Sequence, residues 1–250
     1  QIEAFRLINK NLLHQQRTIV LEGVTGSGKT EVYFEAIEKI LNLNLQVLIL
    51  LPEISLTPQI EERFFQRFGI KPELWHSKIS ESKKRKTWHN CYSGFSKIII
   101  GARSSLFLPF KNIGLIIVDE EHDVSYKQEE GVRYHARDMA IVRSKFEKIP
   151  IILSTATPSL ETFYNVQKNK YTRVFLSKQY SGINLPNINL IDLKNEKLEK
   201  NTWISNKILE GISTCLKKKR QSLIFLNRRG YAPLTVCNNC GYRHQCNNCS

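Results

Sequence analysis

The chain has 250 residues, 41% of them hydrophobic, enough for one large domain or two smaller ones with a sizeable core. Its 37 basic against 23 acidic side chains leave +14 at neutral pH, an excess that attracts phosphate backbones, although Lys, Asn and Ile are frequent throughout. No stretch reaches the roughly 18 uninterrupted apolar residues of a membrane span and no signal-peptide core opens the chain, so a cytoplasmic protein without a membrane partner is expected.

In chain order, short β-branched and apolar runs alternate with amphipathic segments. Strands are predicted over 17–23, 46–52, 97–101, 114–120, 150–155 and 221–227, and helices over 29–41, 56–68, 80–93, 134–147, 159–168 and 203–217. The strands are apolar on both faces, as in parallel sheets covered by helices, so the alternation predicts an α/β, doubly wound fold. From about Ser177 to Asn201 the periodicity fades into a stretch containing Gly, Pro and several Asn. The predicted organisation is therefore a first lobe over 1–176, a connection over 177–201, the start of a second lobe over 202–236 and a cysteine module over 237–250. One helix and one strand cannot bury a core, so the second lobe is expected to be cut short at its C-terminal end. Lys83-Lys84-Arg85-Lys86 and Lys217-Lys218-Lys219-Arg220 read as solvated helix faces or ends, and Cys91 and Cys215 as small buried apolar residues.

The strongest chemical signal is GVTGSGKT, a G-x-x-x-x-G-K-T directly after a strand and opening a helix. Gly23, Gly26 and Gly28 let the loop fold back, so that the N–H groups of Val24, Thr25, Ser27 and their neighbours cradle phosphates at a helix N-terminus. Lys29 neutralises β- and γ-phosphate charge and Thr30 holds Mg²⁺ through its hydroxyl. Such an ATP site needs an acidic strand end, and LIIVDEEH supplies it: Asp119 for Mg²⁺ through water, Glu120 to orient or deprotonate the attacking water. A third strand ends in STATPS, where Ser154, Thr155 and Thr157 either bond to the acidic strand end and a partner segment or cap the next helix.

These three elements in this order resemble a superfamily 2 helicase. The segments LEGVTGSGKTEVY, LPEISLTPQ, GARSSLFLPF, VDEEHDVSYKQEEGVRYHARDMA, ILSTATPSLET and IFLNRRGYAP, with the Cys pairs that follow, narrow the resemblance to the primosomal replication-restart helicases over essentially the whole chain. That resemblance implies a RecA-like P-loop lobe, the start of a second one and a zinc-binding insertion. It implies an ATP-dependent 3′→5′ DNA helicase acting at stalled forks. The implied partners are single-stranded and forked DNA, primosome proteins and single-stranded DNA-binding protein.

Residue roles follow in the same way. The resemblance makes Ser55, Thr57, Arg103 and Ser104 grips on single-stranded DNA, and their hydroxyl and guanidinium donors suit backbone phosphates, although Thr57 before Pro58 also suits a helix cap. It makes SYKQEEGVRYHARD an aromatic-rich loop linking DNA occupancy to hydrolysis. There Tyr126, Tyr134 and His135 would stack on bases, Lys127, Arg133 and Arg137 would meet phosphates, and Glu121 and His122 would lie in the coupling path. Gln1 is implied to read adenine, and Arg228 and Arg229 to reach DNA or nucleotide phosphate or to be plain surface charges. The family's arginine finger falls outside these 250 residues, and such a group is worth roughly 10³–10⁵ in rate, so the chain is expected to bind ATP and Mg²⁺ but to hydrolyse ATP weakly by itself.

The cysteines close the chain. An all-cysteine zinc site needs four thiolates at about 2.3 Å, two from each Cys-x-x-Cys pair, but the linker Gly241 to Gln245 is shorter than the roughly 15–20 residues usual between zinc-ribbon pairs. A redox role lacks the helix opening it normally has. In the resembled family two Zn²⁺ ions share eight cysteines, which implies that Cys237/Cys240 and Cys246/Cys249 are half-sites of different ions. Two other classes stay open: another superfamily 2 nucleic-acid translocase, and a P-loop switch or kinase whose zinc module binds proteins.

Overall fold

The computed structural model describes residues 6, 8, 18–52, 58–177, 187–192, 204–225, 235–236 and 243–244. Gln1, Ser55, Thr57, Arg228, Arg229, Cys237, Cys240, Cys246 and Cys249 lie outside the described residues. The chain divides into two compact units, Gln1–Asn184 and Leu185–Ser250, and the division falls inside the predicted connection.

The first unit is built on a seven-stranded sheet in which every neighbouring pair is parallel. In chain order its elements are β1 (Thr18–Gly23), α1 (Lys29–Asn42), β2 (Gln46–Leu50), α2 (Pro58–Phe68), β3 (Glu73–Trp75), α3 (Glu81–Ser93), β4 (Ile98–Gly101) and β5 (Ile113–Asp119). A two-stranded ribbon, β6 (Lys127–Gln128) with β7 (Tyr134–His135), precedes α4 (Ala136–Phe146), β8 (Ile151–Thr155), α5 (Leu160–Gln167) and β9 (Thr172–Leu176). The spatial order is β3-β4-β2-β5-β8-β1-β9.

Alternate residues of each strand enter opposite layers, which is why the strands read as apolar on both faces. Ile19, Leu21, Val47, Ile49, Leu115, Ile117 and Ile152 pack with Val32, Phe34 and Ile37 of α1 and Phe64 of α2. Val20, Leu48, Ile116, Val118, Ile151 and Leu153 pack on the other side with Cys91 of α3 and Ala140 and Ile141 of α4. Cys91 is thus the small buried apolar residue expected, and burial pushes its thiol up to about 12. The basic run at 83–86 lies on exposed turns of α3, whose N-terminus is capped by Ser80. Arg63 and Arg67 of α2 pair with Glu31, Glu35 and Glu38 of α1, so a charged seam joins these helices outside the core.

Three expectations need correction. β3 and β9 were not predicted, because three residues around Leu74 and a run interrupted by Arg173 carry little apolar pattern, yet they form both sheet edges. The helix expected from 134 begins at Ala136, since Tyr134 and His135 pair antiparallel with Lys127 and Gln128. The strand expected over 221–227 has no ladder partner among its described residues, 221–225. In the second unit α6 (Asn206–Lys217), capped by Ser205, has no buried residue. A short antiparallel pair, β10 (Thr235–Val236) with β11 (Arg243–His244), follows it.

Candidate nucleotide and nucleic-acid site

Because the sheet is parallel, the C-terminal ends of β1, β5 and β8 emerge at one edge, where ligand sites of open α/β sheets form. β8 lies between the other two: Ser154 is in register with Leu21 of β1 and with Asp119 of β5. The phosphate-loop candidate, the acidic strand end and the Ser-Thr strand end are thereby brought together.

At the end of β1 the chain turns through Gly26 and Gly28, both at positive φ (78° and 85°), a conformation open to glycine at little cost. Gly23 serves a different need. A Cβ there would meet Ser27 Oγ at 2.5 Å and Leu176 Cβ at 2.8 Å, so only hydrogen lets the loop pass β9. Lys29 Nζ donates to the Gly23 carbonyl at 2.8 Å, closing the loop, and retains two protons for a phosphate. Thr25, Gly26, Gly28, Lys29, Thr30, Glu31, Arg63, Asp119 and Glu120 line one open cavity of about 820 Å³, which is ample for a nucleotide. Val24 and Thr25 are exposed at its mouth, and Ser27 is buried under the loop.

Both Asp119 oxygens are held. Oδ2 accepts from the Tyr33 hydroxyl at 3.0 Å and Oδ1 from the Glu120 N–H at 3.1 Å. Burial, and then the charge of Asp119, raise the Tyr33 hydroxyl well above its ordinary value, so it remains a donor. Glu120 sits at φ 48°, a left-handed conformation costly for a side chain other than glycine, which turns its carboxylate into the cavity. Burial, and then repulsion from Asp119, push the Glu120 carboxyl above the usual range. Glycine φ angles, a lysine ammonium, a threonine hydroxyl and an aspartate around one cavity form the donor set that a magnesium nucleotide requires, so these residues fit that group.

Other expected site residues take different places. Glu121 is fully buried and accepts from Arg137 Nη1 (3.0 Å), the Ser159 N–H (2.8 Å) and hydroxyl (3.2 Å), and the Thr162 hydroxyl (3.0 Å). Arg137, expected on phosphates, is 5% exposed and spent on Glu121, Ser159 and Asp138. It ties the acidic strand end to the cap of α5 and is withdrawn from solvent. Tyr126, expected to stack on bases, is also withdrawn: it is buried, with its hydroxyl donating to the main-chain carbonyls of Asp119 (2.6 Å) and Leu50 (3.0 Å). His122 Nδ1 lies 2.8 Å from the Thr155 hydroxyl, which joins the DEEH turn directly to β8. The Thr155 hydroxyl also accepts from the Thr157 N–H at 3.1 Å, while Ser154, buried, accepts the Glu121 N–H on its carbonyl at 3.1 Å. Helix capping in STATPS falls to Ser159, whose hydroxyl accepts from the Thr162 N–H.

The remaining loop residues gather at the surface. Arg103 Nη1 donates to the Lys127 carbonyl at 2.7 Å, linking the segment after β4 to the ribbon β6–β7. Arg103, Val124, Lys127, Gln128, Glu129, Glu130 and Gly131 line one hollow of about 890 Å³. Lys127, Gln128, Glu129, Arg133, Tyr134 and His135 line another of about 490 Å³. Ser104 accepts from Trp75 Nε1 at 3.1 Å, and Phe107 meets the Tyr134 ring edge-on. Burial, and then Arg137, lower His135 below its ordinary value, leaving a neutral ring beside the cations. Tyr33, Arg63 and Ser159 were missed by sequence reasoning, and only the Tyr33 position, one helical turn after Thr30, carried a readable signal.

The DEAD/DEAH box helicase family matches residues 1–166. The chain belongs to the DEAD/DEAH box helicase family. Among curated relatives, the chain is 49% identical over 250 residues to a protein of Rickettsia felis named replication restart protein PriA, covering 100% of this chain and 38% of that one. It is 40% identical over 251 residues to the replication restart protein PriA of Bacillus subtilis, covering 100% of this chain and 31% of that protein. The chain thus spans well under half the length of these helicase relatives. In three dimensions it is similar to the crystal structure of the DUF1998 helicase MrfA, with a TM-score of 0.58 at 19% identity over 91% of this chain and 35% of that one. At that identity the likeness concerns the fold: a parallel sheet flanked by helices, the RecA-like helicase lobe. Among the described residues no group of three or more potential metal ligands occurs, and no helix is long and apolar enough to cross a membrane.

Proposed function

We propose that this chain is the ATP-binding portion of a cytoplasmic 3′→5′ DNA helicase that remodels stalled replication forks and starts primosome assembly. One observation carries the reading: Arg103 is bonded to Lys127 in the ribbon that continues the DEEH turn, so a nucleic-acid surface and the hydrolytic carboxylates share one short segment. The similarity to proteins named replication restart protein PriA supports a role in replication restart, while the polarity, the single-stranded and forked DNA substrates and the primosome and single-stranded DNA-binding protein partners rest on the motif resemblance alone.

Magnesium supplies charge neutralisation at the phosphates when bound. Lys29 and the loop N–H groups orient the nucleotide, Thr30 and, through water, Asp119 would hold the metal, and Glu120 receives the proton of the attacking water. Glu121 and Arg137 act one layer below, fixing the DEEH turn against α5. The exposed Lys127 and Arg133 and the half-buried Arg103 meet phosphates, while Tyr134 and His135 offer rings to bases. Cys237/Cys240 and Cys246/Cys249 are halves of two different Zn²⁺ sites, a reading that rests on the family resemblance and agrees with the short linker Gly241 to Gln245 between the pairs.

The deciding experiment measures ATP hydrolysis by the intact helicase with forked DNA, single-stranded DNA and RNA as activators. Forked and single-stranded DNA are expected to stimulate it and RNA to leave it near the basal rate. Stimulation by RNA alone would assign a different superfamily 2 translocase, and no stimulation by any of them would sink the reading.

A further inference from the structure

Asp119, one of the two magnesium-site candidates, is held by a side chain from the helix that carries Thr30. Tyr33 lies one helical turn after Thr30 on α1, with its ring in the core against Phe34 at 5.5 Å and its residue 1% exposed. Its hydroxyl donates to Asp119 Oδ2 at 3.0 Å. The Glu120 N–H occupies Oδ1, so the carboxylate is clamped from two sides.

We infer that Tyr33 is a positioning residue for magnesium: its hydroxyl holds the Asp119 carboxylate in the orientation that the metal needs. An aspartate at a strand end would otherwise rotate about its side-chain bonds and be solvated from the cavity, and ordering it would cost part of the binding energy. A carboxylate has about four lone-pair sites, so Oδ2 accepts from Tyr33 and still faces a metal-bound water. The bond to Asp119 also accounts for a polar ring tip inside an otherwise apolar cluster, where a phenylalanine would pack equally well. Groups that orient metal ligands in this way are worth roughly 10–100-fold in metal affinity.

The inference rests on the ATP and magnesium reading above, and the experiment separates the two. A fluorescent ATP analogue is bound to the 250-residue chain in EDTA, and Mg²⁺ is then titrated against its signal. Tyr33→Phe is expected to raise the Mg²⁺ midpoint about tenfold while nucleotide affinity in EDTA stays within about twofold of the parent. Tyr33→Leu repeats the loss of the hydroxyl with different packing, and each variant is read at a temperature where circular dichroism shows it folded. In an Asp119→Asn background the Tyr33→Phe effect is expected to vanish, whereas a merely structural role would leave it intact. An unchanged Mg²⁺ midpoint in both Tyr33 variants overturns the inference. Failure of the parent chain to bind the analogue overturns the ATP reading instead.

Discussion

Arg137 and Glu121 form an ion pair of 3.0 Å with side chains 6% and 0% exposed, and each partner has further bonds on its far side. Removing one member of such a pair strands a charge away from water. Arg137→Ala is expected to destabilise the first unit by about 3–5 kcal/mol, read as a shifted denaturant midpoint. An effect below about 1 kcal/mol would mean that Glu121 is solvated in solution.

Lys29 and Glu120 occupy the same cavity but act at different steps. Lys29→Ala is expected to abolish detectable nucleotide binding. Glu120→Gln is expected to bind ATP normally and to slow hydrolysis by the intact helicase about 10²–10⁴-fold, since proton acceptance and the negative charge are lost while side-chain size and shape are largely kept. Single-turnover kinetics beside equilibrium binding separate the two effects.

The pH dependence follows from the raised Glu120 carboxyl. The water-activating form is the carboxylate, so hydrolysis falls as pH drops through the pKa of Glu120. Because that pKa lies above the usual glutamate range, the acid limb of the kcat profile is expected at higher pH than an ordinary carboxylate gives. Glu120 also contributes stability, with the opposite sign: its folded pKa is raised, so the folded state binds the proton more readily and is favoured at low pH, with the advantage lost as pH rises through that pKa. Removing the like charge with Asp119→Asn should move the stability transition towards the ordinary range.

Arg103 is tied to the Lys127 carbonyl yet keeps donors facing the hollow beside the ribbon. Arg103→Ala is expected to weaken single-stranded DNA binding and to reduce the magnitude of its salt slope by about one. Tyr126→Phe, by contrast, should leave that slope unchanged, because this ring is buried and its hydroxyl serves the main chain of Asp119 and Leu50. Fluorescence titration of labelled oligonucleotides at several salt concentrations reads both.

The sequence by itself determined the parallel sheet, the glycine loop, Lys29, Asp119 and Glu120, because each depends on local rules: apolar runs on both faces, φ angles that favour glycine, an acidic residue closing a strand. Helix bounds such as Lys29–Asn42 and Leu160–Gln167 were legible for the same reason. What only the tertiary structure decided was which polar side chains face solvent. The stretch from Tyr126 to Arg137 reads as one cationic, aromatic loop, yet Tyr126 and Arg137 turn inward while Lys127 and Arg133 stay outside. That sorting depends on partners far along the chain, with Leu50 accepting from Tyr126 and Ser159 from Arg137. Tyr33 and Asp119 meet across 86 residues for the same reason. A buried polar group must find its partner wherever folding brings one, and no local spacing encodes that distance.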